Sequence, residues 1–120
     1  MSDKKPEHVI QNEIRLALAK AGVPAFRNNV GAYKTQDGRF VTFGVGEKGG
    51  SDLICITPVK ITEDMVGATV GVFTAIEVKT PKGRVSKEQE AFISAVLNYG
   101  GFAGVARSDV DALRIVRKTK

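Results

Sequence analysis

The sequence predicts an α/β fold, in which a mixed β-sheet is flanked by helices in the order αββββαβα. Apolar residues recur at helical spacing near the start of the chain and again in its second half. Between these segments lie short apolar runs bounded by glycine or proline, and two of the runs are apolar on both faces. Strands of that kind belong to a sheet that helices cover on each side.

Three helices are expected. The first covers about 7–21, where apolar residues lie one helical turn apart, and Glu13 lies along its apolar stripe. The second begins after Ser86, a typical N-cap residue, and ends at a glycine pair. The third begins after Ser108, which forms a capping-box pattern with Asp111.

Five β-rich segments complete the predicted order. They lie at 25–33, 40–43, 53–59, 70–79 and 102–106. The first two flank the turn signal Asp37-Gly38, which predicts a hairpin. The glycine-rich stretch 44–50 lacks the Gly-Lys-Ser/Thr ending of a phosphate-binding loop, so no nucleotide cofactor is expected.

The length and charge of the chain indicate how many domains it forms and what kind of partner it binds. Its 120 residues suit a flexible basic tail at 1–5 followed by a single domain over 6–120. The net charge of +5 favours polyanionic partners. No apolar run approaches the ~20 residues that span a bilayer, and the N-terminus lacks the apolar core of a signal peptide. A cytoplasmic protein without a membrane partner is therefore expected.

The numbers of cysteine and histidine residues limit the kinds of functional site that the chain can form. Cys55 is the only cysteine and His8 is the only histidine. Disulfides within the chain and Cys-rich zinc sites are therefore excluded, and histidine-based acid-base catalysis has only one candidate residue. Carboxylates, lysine and metals that prefer oxygen ligands remain.

Charged residues interrupt two of the predicted strands. Asp52 opens one apolar run, and Glu77-Val78-Lys79 closes another. Burying unpaired charges costs several kcal/mol, so these groups need a cation or one another as partners. If the two strands pair antiparallel, Asp52, Glu77 and the Val78 backbone carbonyl can bind Mg²⁺, with Mn²⁺ as a substitute. In a metal-dependent hydrolysis, Lys79 would then orient or deprotonate the water that attacks the phosphodiester.

These charged residues, and the amide side chain of Gln89 in the second helix, also have simpler interpretations than a functional site. The pattern of Glu77 and Lys79 is common in solvated ion pairs on strands. Asp52, at a strand start, is a typical turn residue. Gln89 stands three residues after Ser86, which is the spacing of a capping box.

In this order the residues resemble the PD-(D/E)XK nucleases and, in finer detail, their VRR-NUC branch, which is common in phages and bacteria. The resemblance covers about 11–107 and is carried by Asp52, Glu77-Val78-Lys79 and an upstream helical Glu13. Ser51 stands where the superfamily pattern has proline, a substitution familiar within the branch. The finer details are Arg27-Asn28-Asn29 with Gly31, Gly50-Ser51-Asp52-Leu53, Glu77-Val78-Lys79-Thr80, Gly83 with Ser86 and Gln89, and Gly100-Gly101 before a strand ending in Arg107.

The resemblance implies a restriction-endonuclease-like core forming one nuclease domain. It implies that Asp52 and Glu77 bind Mg²⁺ or Mn²⁺ and that Lys79 is the catalytic lysine. It further implies that Glu13 and Gln89 complete the catalytic shell, with Glu13 as a further metal ligand. A homodimer that cleaves branched DNA, as Holliday-junction resolvases do, in a bacterial or phage-infected cell is also implied.

Basic and polar residues around the site are expected to contact the DNA backbone without reading bases. They are Lys34, Arg39, Lys48, Lys82, Arg84 and Lys87, to which the motif adds Arg27, Asn29 and Ser51. Tyr33 is the only aromatic residue in that set, which favours structure-selective cleavage over stacking on single strands. A solvated charged rim is the simpler alternative.

The preferred interpretation is a metal-dependent endonuclease in which water attacks the DNA phosphorus in line. Two others stay open: a non-catalytic nucleic-acid-binding module whose charges form an ion-pair network, and a structural subunit that binds an acidic protein. The apolar residues Ile61, Met65 and Val66 belong either to a dimer interface or to a packed hairpin tip.

Overall fold

The computed structural model of the chain describes residues 5–46 and 48–117. Of the predicted basic tail only Lys5 falls within these ranges. The elements are α1 (Glu7–Lys20), β1 (Ala25–Arg27), β2 (Gly31–Lys34), β3 (Phe40–Phe43), β4 (Leu53–Cys55), a 3₁₀ helix (Glu63–Met65), β5 (Thr74–Val78), α2 (Lys87–Asn98), β6 (Phe102–Ala106) and α3 (Asp109–Ile115). The mixed α/β class is confirmed, whereas the order is αβββββαβα, with one strand more than predicted.

The chain forms two compact units, Met1–Thr57 and Pro58–Lys120. The first contains α1 and strands β1 to β4, and the second contains β5, β6, α2 and α3. Over the described residues the strands form three two-stranded sheets. One mixed sheet and a single domain over 6–120 both stay predictions.

The first unit contains two antiparallel pairs. β1 pairs with β4, with Ala25 opposite Cys55, and β2 pairs with β3, with Gly31 opposite Phe43. The hairpin expected around Asp37 is thus confirmed for β2 and β3. The predicted strand 25–33 is two strands with different partners, because the chain turns away from β4 after the main-chain N–H of Asn28 donates to the carbonyl oxygen of Asp52.

The second unit is built on a parallel pair. β5 and β6 pair in parallel, with Glu77 opposite Val105, and α2 connects them along the chain. β4, in the other unit, pairs with β1, and the antiparallel pairing of 53–59 with 70–79 that was considered from the sequence stays a prediction. Val96 of α2 and Ala106 of β6 are buried, so the apolar centre of this unit lies where α2 packs on the sheet.

Both predicted helix starts in the second unit are confirmed. At α2, Ser86 Oγ accepts a hydrogen bond from the Gln89 N–H at 3.0 Å, and Gln89 Oε1 accepts one from the Ser86 N–H at 2.9 Å. At α3, Ser108 Oγ accepts from the Asp111 N–H, whereas Asp111 Oδ2 accepts from the Arg107 N–H. The carboxylate at α3 therefore reaches one residue further back than a capping box requires.

Large apolar side chains remain exposed in both units. Of the described hydrophobic residues, Ile56, Val96 and Ala106 are buried. Ile61 and Val66, which flank the 3₁₀ helix, are largely exposed, so they do not form a packed hairpin tip. Within the described ranges, every helix is too short or too polar to traverse a lipid bilayer.

Candidate functional site

Asp52 lies immediately before β4, beside the first half of α1. Its side chain lines a cleft of about 140 Å³ together with Glu7, Ile10, Gln11, Ile14 and Leu53. Spacing of three and four places the four helical residues on one face of α1. The helix therefore presents a carboxylate and an amide, as well as two isoleucines, to the same cleft as Asp52. Sequence reasoning missed Glu7 and Gln11.

Hydrogen bonds from the Asn28 side chain hold the loop that leads to Asp52 in place. Its side-chain amide donates to the carbonyl oxygens of Val45 at 2.8 Å and Ser51 at 2.9 Å, and its Oδ1 accepts from the Val45 N–H at 2.9 Å. One side chain thus joins both ends of the glycine-rich stretch, so it sets where Ser51 and Asp52 lie. Asn28 was visible in the sequence only as part of the Arg27-Asn28-Asn29 motif.

Glycine at position 50 is required by the same loop closure. A Cβ atom there would lie 2.0 Å from the Val45 carbonyl oxygen, which is far inside van der Waals contact. The backbone of Gly50 therefore crosses that of Val45 at a distance that no other residue permits.

Glu13 lies on the outside of α1, and the expectation that it follows the core face is wrong. Its carboxylate is half exposed and pairs with Lys5 Nζ at 2.9 Å. One residue of an α-helix turns the side-chain direction by about 100°, so Glu13 points well away from its neighbour Ile14, which faces the cleft. Its place in a catalytic shell stays a prediction.

Glu77 and Lys79 share one face of the second unit's sheet. Lys79 Nζ lies 3.9 Å from Glu77 Oε2, at the outer limit of an ion pair, and the two side chains are only 22% and 31% exposed. The Lys79 N–H donates to the Ala106 carbonyl oxygen at 3.0 Å, which extends the parallel ladder past the end of β5. Backbone pairing therefore holds both side chains at a defined register.

The two faces of β5 reverse the usual arrangement of a surface strand. Glu77, with Ala75, lies on the less exposed face, whereas Ile76 and Val78 lie on the more exposed one, and Val78 is 76% exposed. In a strand with one solvent-exposed face, apolar side chains usually lie on the buried face and charged side chains on the exposed one. β5 and its extension instead lead the charged side chains of Glu77 and Lys79 to the less exposed face and leave Val78 on the more exposed one.

The turn after Lys79 is held by Arg107. One guanidinium nitrogen, Nη1, donates to the carbonyl oxygens of Thr80 at 2.6 Å, Gly83 at 2.8 Å and Pro81 at 3.3 Å. Nη1 carries two hydrogens, so one of these three contacts is shared. Arg107 therefore sets the course of the segment that carries Lys82 and Arg84. The sequence motif contained Arg107 but gave it no role.

Gln89 is occupied in capping α2, which was the simpler of its two interpretations. The side-chain oxygen accepts the Ser86 N–H, and no hydrogen bond to the Nε2 group is found among the described residues. The amide nitrogen thus remains available while the oxygen holds the helix start. A part in the catalytic shell is compatible with the cap and stays a prediction.

The side chains expected to contact DNA are all exposed, in both units. They are Arg27, Lys34, Arg39, Lys48, Ser51, Lys82, Arg84 and Lys87, together with Asn29. Arg39 is paired with Asp37 through Nε and Oδ2 at 2.9 Å. Exposure is necessary for a phosphate contact and is equally typical of a solvated rim, so their DNA contacts stay predictions.

The candidate metal ligands have the character that a hard cation requires. Neither the Asp52 nor the Glu77 carboxylate accepts a hydrogen bond from another described residue, so oxygen lone pairs are available in each unit. Within either unit, the described residues include no group of three His, Cys, Asp or Glu side chains placed to hold a metal ion. The residues therefore fit a cation bound by one or two carboxylates, with backbone or solvent oxygens as the other ligands.

Comparison with known protein families gives one match. The family model described as the VRR-NUC domain matches residues 5–110, which is most of the chain and includes every candidate site residue. Neither a curated protein nor a solved structure matches the chain.

Proposed function

Because the chain belongs to the VRR-NUC family, a nuclease domain family of the PD-(D/E)XK superfamily, we propose that it is a Mg²⁺- or Mn²⁺-dependent endonuclease that hydrolyses DNA phosphodiester bonds. The observation that carries the proposal is the pair of sheltered charges, Glu77 and Lys79, on one face of β5. The proposal includes the restriction-endonuclease-like arrangement of the sheet that is typical of the superfamily.

Asp52 and Glu77 are the proposed metal ligands, with the Val78 carbonyl oxygen as a third. A divalent cation bound there supplies Lewis-acid stabilisation of the charge that develops on the phosphate oxygens. Asp52 is held for this task by the loop that Asn28 fastens, and Glu77 by the β5–β6 ladder. Glu13 and Gln89 are proposed to complete the shell.

Lys79 is proposed to orient the attacking water and to offset negative charge on the scissile phosphate. Its side chain is only 22% exposed and lies on the same face as Glu77. Low exposure strengthens the interaction of the ammonium with phosphate, because solvent screens it less. The side chain can turn from Glu77 to a substrate, because 3.9 Å leaves the ion pair weak.

The proposed substrate is branched DNA, cleaved by a homodimer. Exposed cations in both units support contacts to the phosphate backbone, which carry no base sequence. Symmetric cleavage of a four-way junction requires two active sites, which a twofold dimer provides. The exposed Ile61 and Val66 support an apolar contact between copies.

The decisive experiment incubates purified protein with labelled four-way junctions, flaps, nicked duplexes and linear DNA in Mg²⁺, Mn²⁺ or EDTA. Cleavage in either metal and none in EDTA is expected. Asp52→Ala and Lys79→Ala should abolish scission while circular dichroism and DNA binding stay close to wild type. Glu90→Ala, which removes an exposed carboxylate from α2, is the matched control and should cleave normally. Full activity of Asp52→Ala or Lys79→Ala would refute the assignment.

The ion pair between Glu77 and Lys79 favours one rival, a nucleic-acid-binding module without catalysis. That rival predicts salt-dependent DNA binding and no strand scission in either metal. A preparation that binds the junction at low salt and leaves it intact through a long incubation in Mn²⁺ would establish the rival.

A further inference from the structure

The β2–β3 hairpin, which contains none of the proposed metal ligands, exposes aromatic side chains. The hairpin contains three aromatic side chains, Tyr33, Phe40 and Phe43, which are 55%, 74% and 46% exposed. Tyr33 had been expected to be the only aromatic near the basic residues, and that expectation overlooked both phenylalanines. Exposed aromatic side chains are candidates for contact with a partner.

The two faces of the hairpin present these rings differently. Directly opposite residues share a face, so Phe40 lies beside Lys34 on one face, and Tyr33 lies with Phe43 on the other. The Tyr33 and Phe43 ring centroids are 6.5 Å apart. Phe43 also covers Gly31, where a Cβ atom would lie 2.5 Å from the ring. Phe40 makes no ring contact with another described residue, so one side of its ring faces open solvent.

The turn between the strands is fixed by polar contacts. The Thr35 hydroxyl donates to an Asp37 carboxylate oxygen, and Arg39 Nε donates to the other at 2.9 Å. The Thr35 hydroxyl, aided by Arg39, holds the pKa of Asp37 below its ordinary value, so the carboxylate keeps these contacts to lower pH than an isolated Asp would. A hairpin held at its turn presents Phe40 and Lys34 without a large cost of ordering on binding.

Charge on the hairpin selects the class of partner. Asp37 is the only acidic residue between 31 and 43, and Arg39 already pairs with it. Lys34 makes no ion pair with a described residue, so its cation lies beside the Phe40 ring without an acidic partner from that part of the chain. A ligand that combines flat apolar rings with closely spaced negative charges satisfies both groups, and single-stranded nucleic acid has that chemistry.

We infer that the β2–β3 hairpin is a base-stacking surface, on which Phe40 stacks against an unpaired nucleobase while Lys34 contacts an adjacent phosphate. The inference rests on the proposed DNA cleavage and adds which part of the substrate the hairpin holds, namely unpaired nucleotides at a branch or fork. The Tyr33 and Phe43 rings, on the opposite face, support the fold of the hairpin and offer a second, smaller stacking surface.

The test measures binding to two DNAs in EDTA, so that cleavage does not interfere. A fluorescently labelled oligo-dT presents only unpaired bases, and a blunt duplex of equal length presents almost none. Phe40→Leu keeps an apolar side chain on the strand and removes the ring. It should weaken oligo-dT binding about tenfold, as loss of one stacked base does, and change duplex binding less than twofold. Tyr99→Leu, at an exposed aromatic at the end of α2, is the matched control and should leave both affinities unchanged.

A second variant reports stacking directly. The chain contains no tryptophan, so Phe40→Trp introduces a single indole at the proposed contact. Binding of oligo-dT should quench its fluorescence and retain wild-type affinity, whereas the duplex should leave the emission nearly unchanged.

Three results would overturn the inference. Equal weakening of both DNAs in Phe40→Leu would mean a general effect on the fold or on phosphate contacts. Unchanged affinity for both would exclude stacking by Phe40. A shift of Phe40→Leu to a smaller species in sedimentation, with oligo-dT binding retained, would assign the hairpin to contact with a second copy. Because no scission is measured, failure here is distinguishable from failure of the proposed nuclease activity.

Discussion

The main-chain N–H of Asn28 donates to the carbonyl oxygen of Asp52 at 2.8 Å. The same residue uses its side chain to hold Val45 and Ser51, which lie at the two ends of the glycine-rich loop. Asn28 therefore controls the position of Asp52 through both the strand pairing and the loop. In the proposed enzyme it is a positioning residue, because it acts on the metal through Asp52.

Asn28→Ala should raise the Mg²⁺ concentration required for half-maximal cleavage. The variant loses three hydrogen bonds, so Asp52 is held less well, and the free energy of unfolding should fall by about 1–3 kcal/mol. Metal titrations of cleavage and urea denaturation measure the two effects separately. Asn12→Ala, at an exposed site on α1, should change neither. An unchanged metal requirement in Asn28→Ala would show that the loop does not position Asp52.

Arg107→Lys should reduce kcat/KM for the preferred DNA by roughly tenfold, because hydrogen bonds from a charged donor contribute about 1.5–3 kcal/mol. The lysine side chain is one atom shorter than that of arginine, so its ammonium cannot take the place of Nη1 between the carbonyl oxygens of Thr80 and Gly83. The turn that carries Lys82 and Arg84 would then lose its fixed course. Steady-state kinetics and circular dichroism check the prediction, with Arg114→Lys in α3 as the control. Wild-type kinetics for Arg107→Lys would contradict it.

Ser86→Ala and Gln89→Ala separate the two roles of Gln89. Each breaks one half of the capping box, so each should lower the free energy of unfolding by about 1 kcal/mol. If Gln89 also belongs to the catalytic shell, only Gln89→Ala should reduce cleavage at a temperature where both variants remain folded. Thermal unfolding and cleavage rates on the same preparations provide the measurement. Equal cleavage by the two variants would restrict Gln89 to the helix cap.

Gly50→Ala should disrupt the loop before Asp52. The added Cβ would lie 2.0 Å from the Val45 carbonyl oxygen, so the backbone has to move. Destabilisation of more than about 2 kcal/mol and loss of cleavage are expected, because unrelieved overlap of this kind is among the costly substitutions. Gly71→Ala, where a Cβ meets nothing within 4 Å, is the control. Denaturant midpoints and cleavage assays measure the two effects. Near-normal stability of Gly50→Ala would show that the loop backbone shifts to accommodate the added Cβ at little cost in free energy.

Local features of the fold could be predicted from the sequence. The start of α2 follows from Ser86 and Gln89, since a capping box depends only on residues three apart. The β2–β3 hairpin follows from the turn at Asp37-Gly38, although its first strand begins at Gly31 rather than near Ala25. Turn and cap residues act through their neighbours in the chain, so the sequence records them directly.

Pairing between distant segments could not be predicted in the same way. β4 is apolar and suits several partners, and nothing in its composition specifies β1 as the partner. Asn28 illustrates the same limit, because its contacts with Val45 and Ser51 span many residues and leave no local pattern. The predicted direction of the Glu13 side chain was wrong. Its spacing from Ile10 and Ala17 defines a stripe on the helix, whereas the surrounding packing decides which edge of that stripe is covered.

The burial of Val96, which is 0% exposed, has a consequence for how the chain opens. Opening β5, α2 or β6 to solvent exposes this side chain, so the amide hydrogens of these elements should exchange with deuterium more slowly than those of the β2–β3 hairpin. Glu77 would then sit on the segment that melts last. On gentle warming the β2–β3 hairpin should therefore open before the strand that carries Glu77 does.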